Sequence, residues 1–261
     1  MRAMTPLLLL APRINETGLH LLTHARRRGL RAHTAVRWDV PAELAGLRPA
    51  HLYGGPLFAD VAAGVLGVAP LEPPVDWLAT LPTELSARRV DCVPLAEARR
   101  LRRPAFLKPA ADKLFAARVY ADGSGLPGPD ALDDDTPVLV SDVVGFAVEY
   151  RLFVLDGAVR AAGRYAVNGG LAVSPEVPPD ALAFAADALA AGGLPSAVVV
   201  DVGRLADGTW AVVEANPAWA SGGYACDPGA VLDVVLRAAG PADALAPGDV
   251  AFARAVPEVL R

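Results

Sequence analysis

Two carboxylates and an amide sit on a segment that the sequence folds back on itself. Residues 197–202 and 209–215 are apolar, β-branched runs on either side of Asp207-Gly208, a strong turn pair, and the pattern predicts a β-hairpin. A two-residue loop at Asp207-Gly208 pairs Ala206 with Thr209. Counting outward, Asp201 falls directly opposite Glu214. Asn216, two residues past Glu214, shares its face. Like charges directly opposite each other in a sheet repel, and a divalent cation reverses the sign of that interaction. Carboxylate and carbonyl oxygens suit hard Mg²⁺, which shares its sites with substrate phosphates. The competing expectation is that these are strand-end polar groups facing water.

A second set of candidates comes from composition. The chain has 24 basic residues, of which only Lys108 and Lys113 are lysine. In a sequence that uses arginine almost everywhere, a surviving lysine points to a need for a compact ammonium, as at phosphate sites. The alternative is chance clustering on a solvated face. A third set lies in residues 148–165, which read as another hairpin around Asp156-Gly157, again a strong turn pair. A two-residue loop there puts Glu149 opposite Arg164 and Arg151 near Ala162, so that Glu149, Arg151 and Arg164 cluster on one face. As a surface charge ladder the cluster would be worth little. It is followed by Asn168-Gly169-Gly170, expected to be a flexible loop able to close over a ligand.

These side chains need elements to hold them. Residues 7–11 form a short apolar strand, a helical pattern runs from Asn15 to Gly29, and 31–36 read as a strand, a βαβ opening that implies a parallel α/β layer. Helices are expected over 59–66, 75–81, 179–191 and 228–239, the last with Asp227 as N-cap and Pro228 at the first position. Strands are expected at 105–109, carrying Lys108, at 116–120, and at 137–140, reaching Ser141-Asp142. Arg88–Leu101 is arginine-rich and reads as a strand followed by a short helix, a linker-like approach to Pro104 that places a domain boundary near residue 100: an N-terminal α/β domain over 1–100 and a second domain over 101–261.

Composition excludes several classes. The chain has 261 residues, 53% of them hydrophobic, and a net charge of −5, so no basic field argues for nucleic acid. Cys92 and Cys226 are isolated, consistent with reduced thiols in a cytosolic protein. No apolar run reaches the ~18 residues of a membrane span, and no GxGxxG follows the first strand. His20 and His24 are four apart, but no HExxH accompanies them. The expectation is a cytoplasmic protein without nucleic-acid or membrane partners, possibly a homodimer.

Taken in order, Phe-Leu-Lys108-Pro, Val-Leu-Val-Ser-Asp142, Glu149-Tyr-Arg151, Arg164 and Asp201 … Glu214-Ala-Asn216-Pro resemble the ATP-grasp superfamily. They look most like an amidoligase clade distinguished by two arginines and a lysine. The resemblance covers about 105–228. It implies an α/β (α+β) fold, with an N-terminal parallel domain preceding a two-lobed ATP-grasp domain. The sequence departs from the pattern in its phosphate-covering loop, 109–116, which has Asp112-Lys113 in place of glycines, and in Asp142 at the hinge where Glu is usual.

Carried over residue by residue, the resemblance implies that the backbone of 139–142, including Val140, Ser141 and Asp142, binds adenine, and that Glu149 binds the ribose hydroxyls. Lys108 and Lys113 would contact the phosphates of ATP. Asp201, Glu214 and Asn216 would hold Mg²⁺. Arg151 and Arg164, with Lys113, would stabilise the phosphoryl group in flight and the acyl-phosphate. The implied reaction joins a small carboxylate, an amino acid or a peptide to an amine through an acyl-phosphate, releasing ADP and phosphate. A small-molecule kinase and a non-catalytic nucleotide-binding protein are the alternatives. Acceptor-site candidates are Tyr53, Gly54 and Gly55, the 165–173 loop, and Trp219, Ser221, Tyr224 and Cys226.

Overall fold

A computed structural model describes residues 5–13, 15–111 and 113–255. Asp112, in the expected phosphate loop, and the final six residues of the terminal element lie outside the described residues. The first sheet is parallel, with Leu7–Leu10 between Arg31–Thr34 and Ala50–Tyr53. Leu7, Leu8, Leu9 and Leu10 are all buried, the continuous apolar run of a central strand covered on both faces. Helix Glu16–Arg27 is capped by Asn15, whose side chain accepts from the Gly18 amide. Helix Pro56–Leu66 begins with proline and ends at Gly67, whose φ of 61° closes it in the left-handed region.

Beside a two-stranded antiparallel ribbon of Val68–Pro70 and Ala239–Pro241, the described residues build two larger antiparallel sheets. One is four-stranded, in the order Val90–Pro94, Pro137–Ser141, Ala105–Pro109, Arg118–Tyr120. The other is five-stranded, in the order Gly170–Ser174, Ala158–Val167, Phe146–Leu155, Ala197–Leu205, Trp210–Asn216. Helix Pro179–Ala190 buries Ala181, Ala185 and Ala188 with Val198, Val200 and Val202 of the larger sheet. The other face of that sheet contributes Phe153 and Val199 to the core that also holds Leu7–Leu10 and Leu232 of helix Pro228–Ala238.

A boundary at residue 100 does not match this arrangement. Val90–Pro94 is an edge strand of the four-stranded sheet, paired along its length with Pro137–Ser141, so a cut at 100 would sever it. The C-terminal helix also returns to pack on the first helix. The arginines that gave 88–101 its linker character are structural: Arg88 is buried, and Arg99 pairs with Asp134 and donates to the Pro127 carbonyl. The stretch at 168–170 is also tighter than a flexible loop. Asn168 and Gly169 have φ of 49° and 74° and turn directly into the strand Gly170–Ser174.

Candidate active site

The Asp201–Glu214 register is as counted from the sequence, but two compensating departures produce it. The hairpin loop has three residues: the Leu205 amide donates to the Thr209 carbonyl, and Gly208, at φ 93°, donates back to Leu205. This shifts the pairing by one, so that Val202 faces Val212. A β-bulge at Val213 then shifts it back, and Asp201 faces Glu214. On its other side Asp201 faces Arg151. Arg151, Asp201 and Glu214 thus form one row across three adjacent strands.

Within that row Arg151 grips Asp201 with both arms of its fork, Nε to Oδ1 at 2.9 Å and Nη2 to Oδ2 at 2.6 Å, and its third nitrogen donates to the Gly222 carbonyl at 3.2 Å. Asp201 is fully buried and Arg151 nearly so. Burial works against the Arg151 charge, but the Asp201 carboxylate outweighs it and holds the guanidinium ionised, above its usual range. Asp201, expected as a metal ligand, has both of its oxygens engaged by Arg151. Among the described residues, no group of three His, Cys, Asp or Glu side chains converges to hold a metal, and His20 and His24 gain no third ligand.

Glu214 is differently placed. Lys108 crosses from the four-stranded sheet and puts Nζ 2.6 Å from Glu214 Oε2. Asn216 Nδ2 donates to Oε1 at 2.8 Å. Burial pushes the Glu214 carboxyl up, but Lys108 and Asn216 hold it below the usual carboxylate range. Glu214 and Asn216 form a hard oxygen pair with its side chains partly open to solvent. That donor set fits an ion that keeps several waters and takes phosphate oxygens, as Mg²⁺ does. Lys113 is exposed.

The second hairpin corrects another expectation. Its turn is as expected, with Asp156 and Gly157 at φ 51° and 75° and Leu155 paired to Ala158. A bulge at Arg160 then shifts the ladder by one, so that Arg164 faces Tyr150 and not Glu149. A one-residue slip carries a side chain to the other face. Arg164 accordingly leaves the Arg151 face and donates to the Ala172 carbonyl at 3.0 Å. A further bulge at Tyr165 brings that residue in instead: its hydroxyl donates to Glu149 Oε2 at 2.6 Å. Burial, with Asp201 and Glu149 adding to it, pushes the Tyr165 phenol far up, so it remains a proton-bearing donor.

The hinge expectation also shifts. Val140 and Ser141 pair with neighbours on both sides, Val140 with Asp91 and Leu107, and Ser141 with Val90 and Phe106. A strand paired on both edges has no ladder groups to offer a ligand. Asp142, half-exposed and 3.3 Å from Arg103, donates its amide to the Arg89 carbonyl at 3.1 Å and begins the stretch 142–145, which lies outside the strands.

The acceptor-side residues meet around Arg151. Its Cζ lies 5.5 Å from the Tyr165 ring centre and 5.1 Å from that of Tyr224, and the two rings stack at 5.3 Å. Tyr224 is held at φ 45°. The Gly223 amide donates to Thr17 Oγ1 at 2.8 Å, Tyr53 donates to the Ser221 carbonyl at 3.0 Å, and the Gly54 amide donates to Trp219 O at 2.9 Å. The first segment of the chain thus closes one side of the site. Trp219 belongs to the core, fully buried and bonded to the Leu71 carbonyl. Burial pushes the Cys226 thiol up to about 12, which makes it an unreactive packed residue. Sequence reasoning missed Thr17, and it had Tyr165 only as the first residue of an acceptor-side loop, 165–173, where the structure puts it in strand Ala158–Val167. Tyr165 had no distinguishing spacing, because its place depends on two bulges.

The family described as ATP-grasp domain, R2K clade family 2, matches residues 85–234, more than half of the chain. No protein of curated function matches. Among solved structures the chain is similar to the ATP-grasp ligase PsnB complexed with a minimal precursor, at 17% identity and a TM-score of 0.51 over 90% of this chain and 99% of that one. It is similar to the D-cycloserine synthetase DcsG at 16% identity and 0.56, over 88% and 98%. It is similar to the D-alanine–D-alanine ligase from Bacillus anthracis complexed with ATP at 13% identity and 0.53, over 90% and 96%. These likenesses are of fold. The match to the family, which includes the Lys108, Arg151 and Glu214 strands, establishes that this chain belongs to the ATP-grasp family, R2K clade.

Proposed function

We propose that the protein is an ATP-dependent carboxylate–amine ligase working through an acyl-phosphate. The observation that carries this reading is Lys108 of one sheet meeting Glu214 of the other at 2.6 Å, beside the Arg151–Asp201 pair. The arrangement places an ammonium, a guanidinium and a hard oxygen pair around one point between the two sheets. Phosphoryl transfer needs that kind of charge, because its catalysis is mostly positioning and electrostatic stabilisation.

In this reading Lys108 contacts the nucleotide phosphates, with Lys113 reaching them from the adjacent loop. Glu214 and Asn216 hold Mg²⁺, which when bound supplies positive charge to the phosphate oxygens. Asp201 keeps Arg151 charged and aimed. The backbone of 142–145 receives adenine, and Glu149, oriented by Tyr165, takes the ribose hydroxyls. A substrate carboxylate oxygen attacks the γ-phosphorus, the bond to the β-phosphate oxygen breaks, and ADP leaves. The amine nitrogen then attacks the acyl carbon, loses a proton and displaces phosphate. Arg151 offsets the charge on the phosphoryl group in both steps. Among the fold relatives PsnB is an ATP-grasp ligase complexed with a minimal precursor and DcsG is a D-cycloserine synthetase, and the Tyr165–Tyr224 stack beside Arg151 is the wall against which an acceptor would lie.

The test is ADP formation from Mg-ATP with pooled amino acids and peptides, using hydroxylamine as amine. A hydroxamate is the expected product and would name the acid. ADP with a phosphorylated acceptor and no hydroxamate would replace the ligase reading with a kinase.

A further inference from the structure

Arg88 is buried and its hydrogen-bond partners, among the described residues, include no carboxylate. A charge in that position needs another explanation than an ion pair. Its Nη1 donates to the Ser86 and Val212 carbonyls at 2.7 and 2.8 Å, Nη2 to the Val213 carbonyl at 3.1 Å, and Nε to Ser141 Oγ at 3.0 Å. Successive carbonyls of a regular strand point to opposite edges. Here those of Val212 and Val213 both reach one guanidinium, which is possible because Val213 is the extra residue of the bulge.

That bulge decides where Glu214 points. Relaxed to a regular ladder from Val202–Val212, the strand would set Val213 opposite Asp201 and Glu214 opposite Val200. Val200 lies on the face buried with Val198, Val202 and Val212. The slip would take Glu214 away from Lys108 and into that apolar layer. We propose that Arg88 is a positioning residue for Glu214: by taking both bulge carbonyls it holds the register that keeps Glu214 beside Lys108, and through Ser141 it ties that register to the end of the hinge strand. This rests on the ligase reading for its kinetic consequences, but the geometry stands apart from it.

The test uses Arg88→Lys, which keeps a charge but offers one nitrogen where Arg88 uses three to reach its four acceptors, and a deletion of Val213. The deletion removes the extra residue and leaves Glu214 opposite Asp201 in an unbroken ladder. In Arg88→Lys, kcat for ADP formation should fall about 100-fold, the cost of a misplacement near 1 Å, with the KM for ATP changed less than about threefold. The enhancement of ADP affinity by Mg²⁺, measured by calorimetry, should shrink, and amide exchange at Val213 and Glu214 should accelerate. Deleting Val213 in the Arg88→Lys background should recover at least about tenfold of the lost kcat. Unchanged exchange at Val213 and Glu214, an unchanged Mg²⁺ effect, or no recovery on deletion would overturn the proposal and leave Arg88 a general structural residue. Absence of ADP formation by the wild-type chain would instead remove the ligase reading, and the exchange measurement would still decide the role of Arg88.

Discussion

Replacing Lys108 with methionine tests whether Glu214 is held by the ion pair. The two side chains are 20% and 30% exposed, and Nζ approaches Oε2 to 2.6 Å. A hydrogen bond to a charged group contributes about 1.5–3 kcal/mol. Glu214 keeps Asn216 as a partner, so the expected loss is about 2 kcal/mol at pH 7, or about 4–8 °C in Tm. The sign of the pH dependence follows from the carboxyl. Glu214 is held below its unfolded value, so the stability it contributes is present above the unfolded pKa of about 4.3. It is lost as pH falls through the lower, folded value. The gap between wild type and Lys108→Met in urea unfolding should therefore be full at pH 7 and close progressively below about pH 4. A gap that is absent at pH 7, or constant down to acid pH, would refute the ion pair. The same variant should lose ADP formation, since methionine offers the phosphates no charge.

Arg151→Met leaves Asp201 buried without its partner and should cost about 3–5 kcal/mol in urea unfolding; a cost under about 1 kcal/mol would mean that Asp201 is solvated and open to metal. Arg164→Ala removes one bond to the Ala172 carbonyl on the far side of the sheet, so it should lower stability by about 1 kcal/mol and leave kcat for ADP formation unchanged; a large kcat loss would return Arg164 to the site. Tyr165→Phe removes the hydrogen bond to Glu149 and keeps the ring stack, so it should raise the KM for ATP at least about tenfold, the lower end of the worth of one bond to a charged group, with little change in kcat; an unchanged KM would separate Glu149 from the nucleotide.

In the proposed reading Arg151 and Lys108 have different roles. Arg151 has its charge balanced inside the sheet by a bidentate partner that no solvent reaches, so its orientation is determined before any ligand arrives. Lys108 is balanced by a partly exposed carboxylate on the facing sheet, a contact that the proposed reading exchanges for phosphate. No described helix is long and apolar enough to cross a membrane.

Local chemistry alone was enough for the elements. Asp156-Gly157 made its turn, Asp227 and Pro228 began their helix, and four consecutive leucines made a central strand, because turn geometry, capping and burial act over a few residues. The ordered lysine, Glu-x-Arg, and Asp … Glu-x-Asn also sufficed for the family, since each lies on one strand whose face alternates with a period of two. Facing residues were another matter. Asp201 met Glu214 only because a three-residue loop and a bulge at Val213 cancelled, while Arg164 left the site because the bulge at Arg160 had no counterweight before it. A bulge forms where something outside the hairpin rewards it, such as the Arg88 guanidinium taking two carbonyls from a distant strand, and so the register, the partner of Asp201 and the place of Tyr165 were decided only in the tertiary structure.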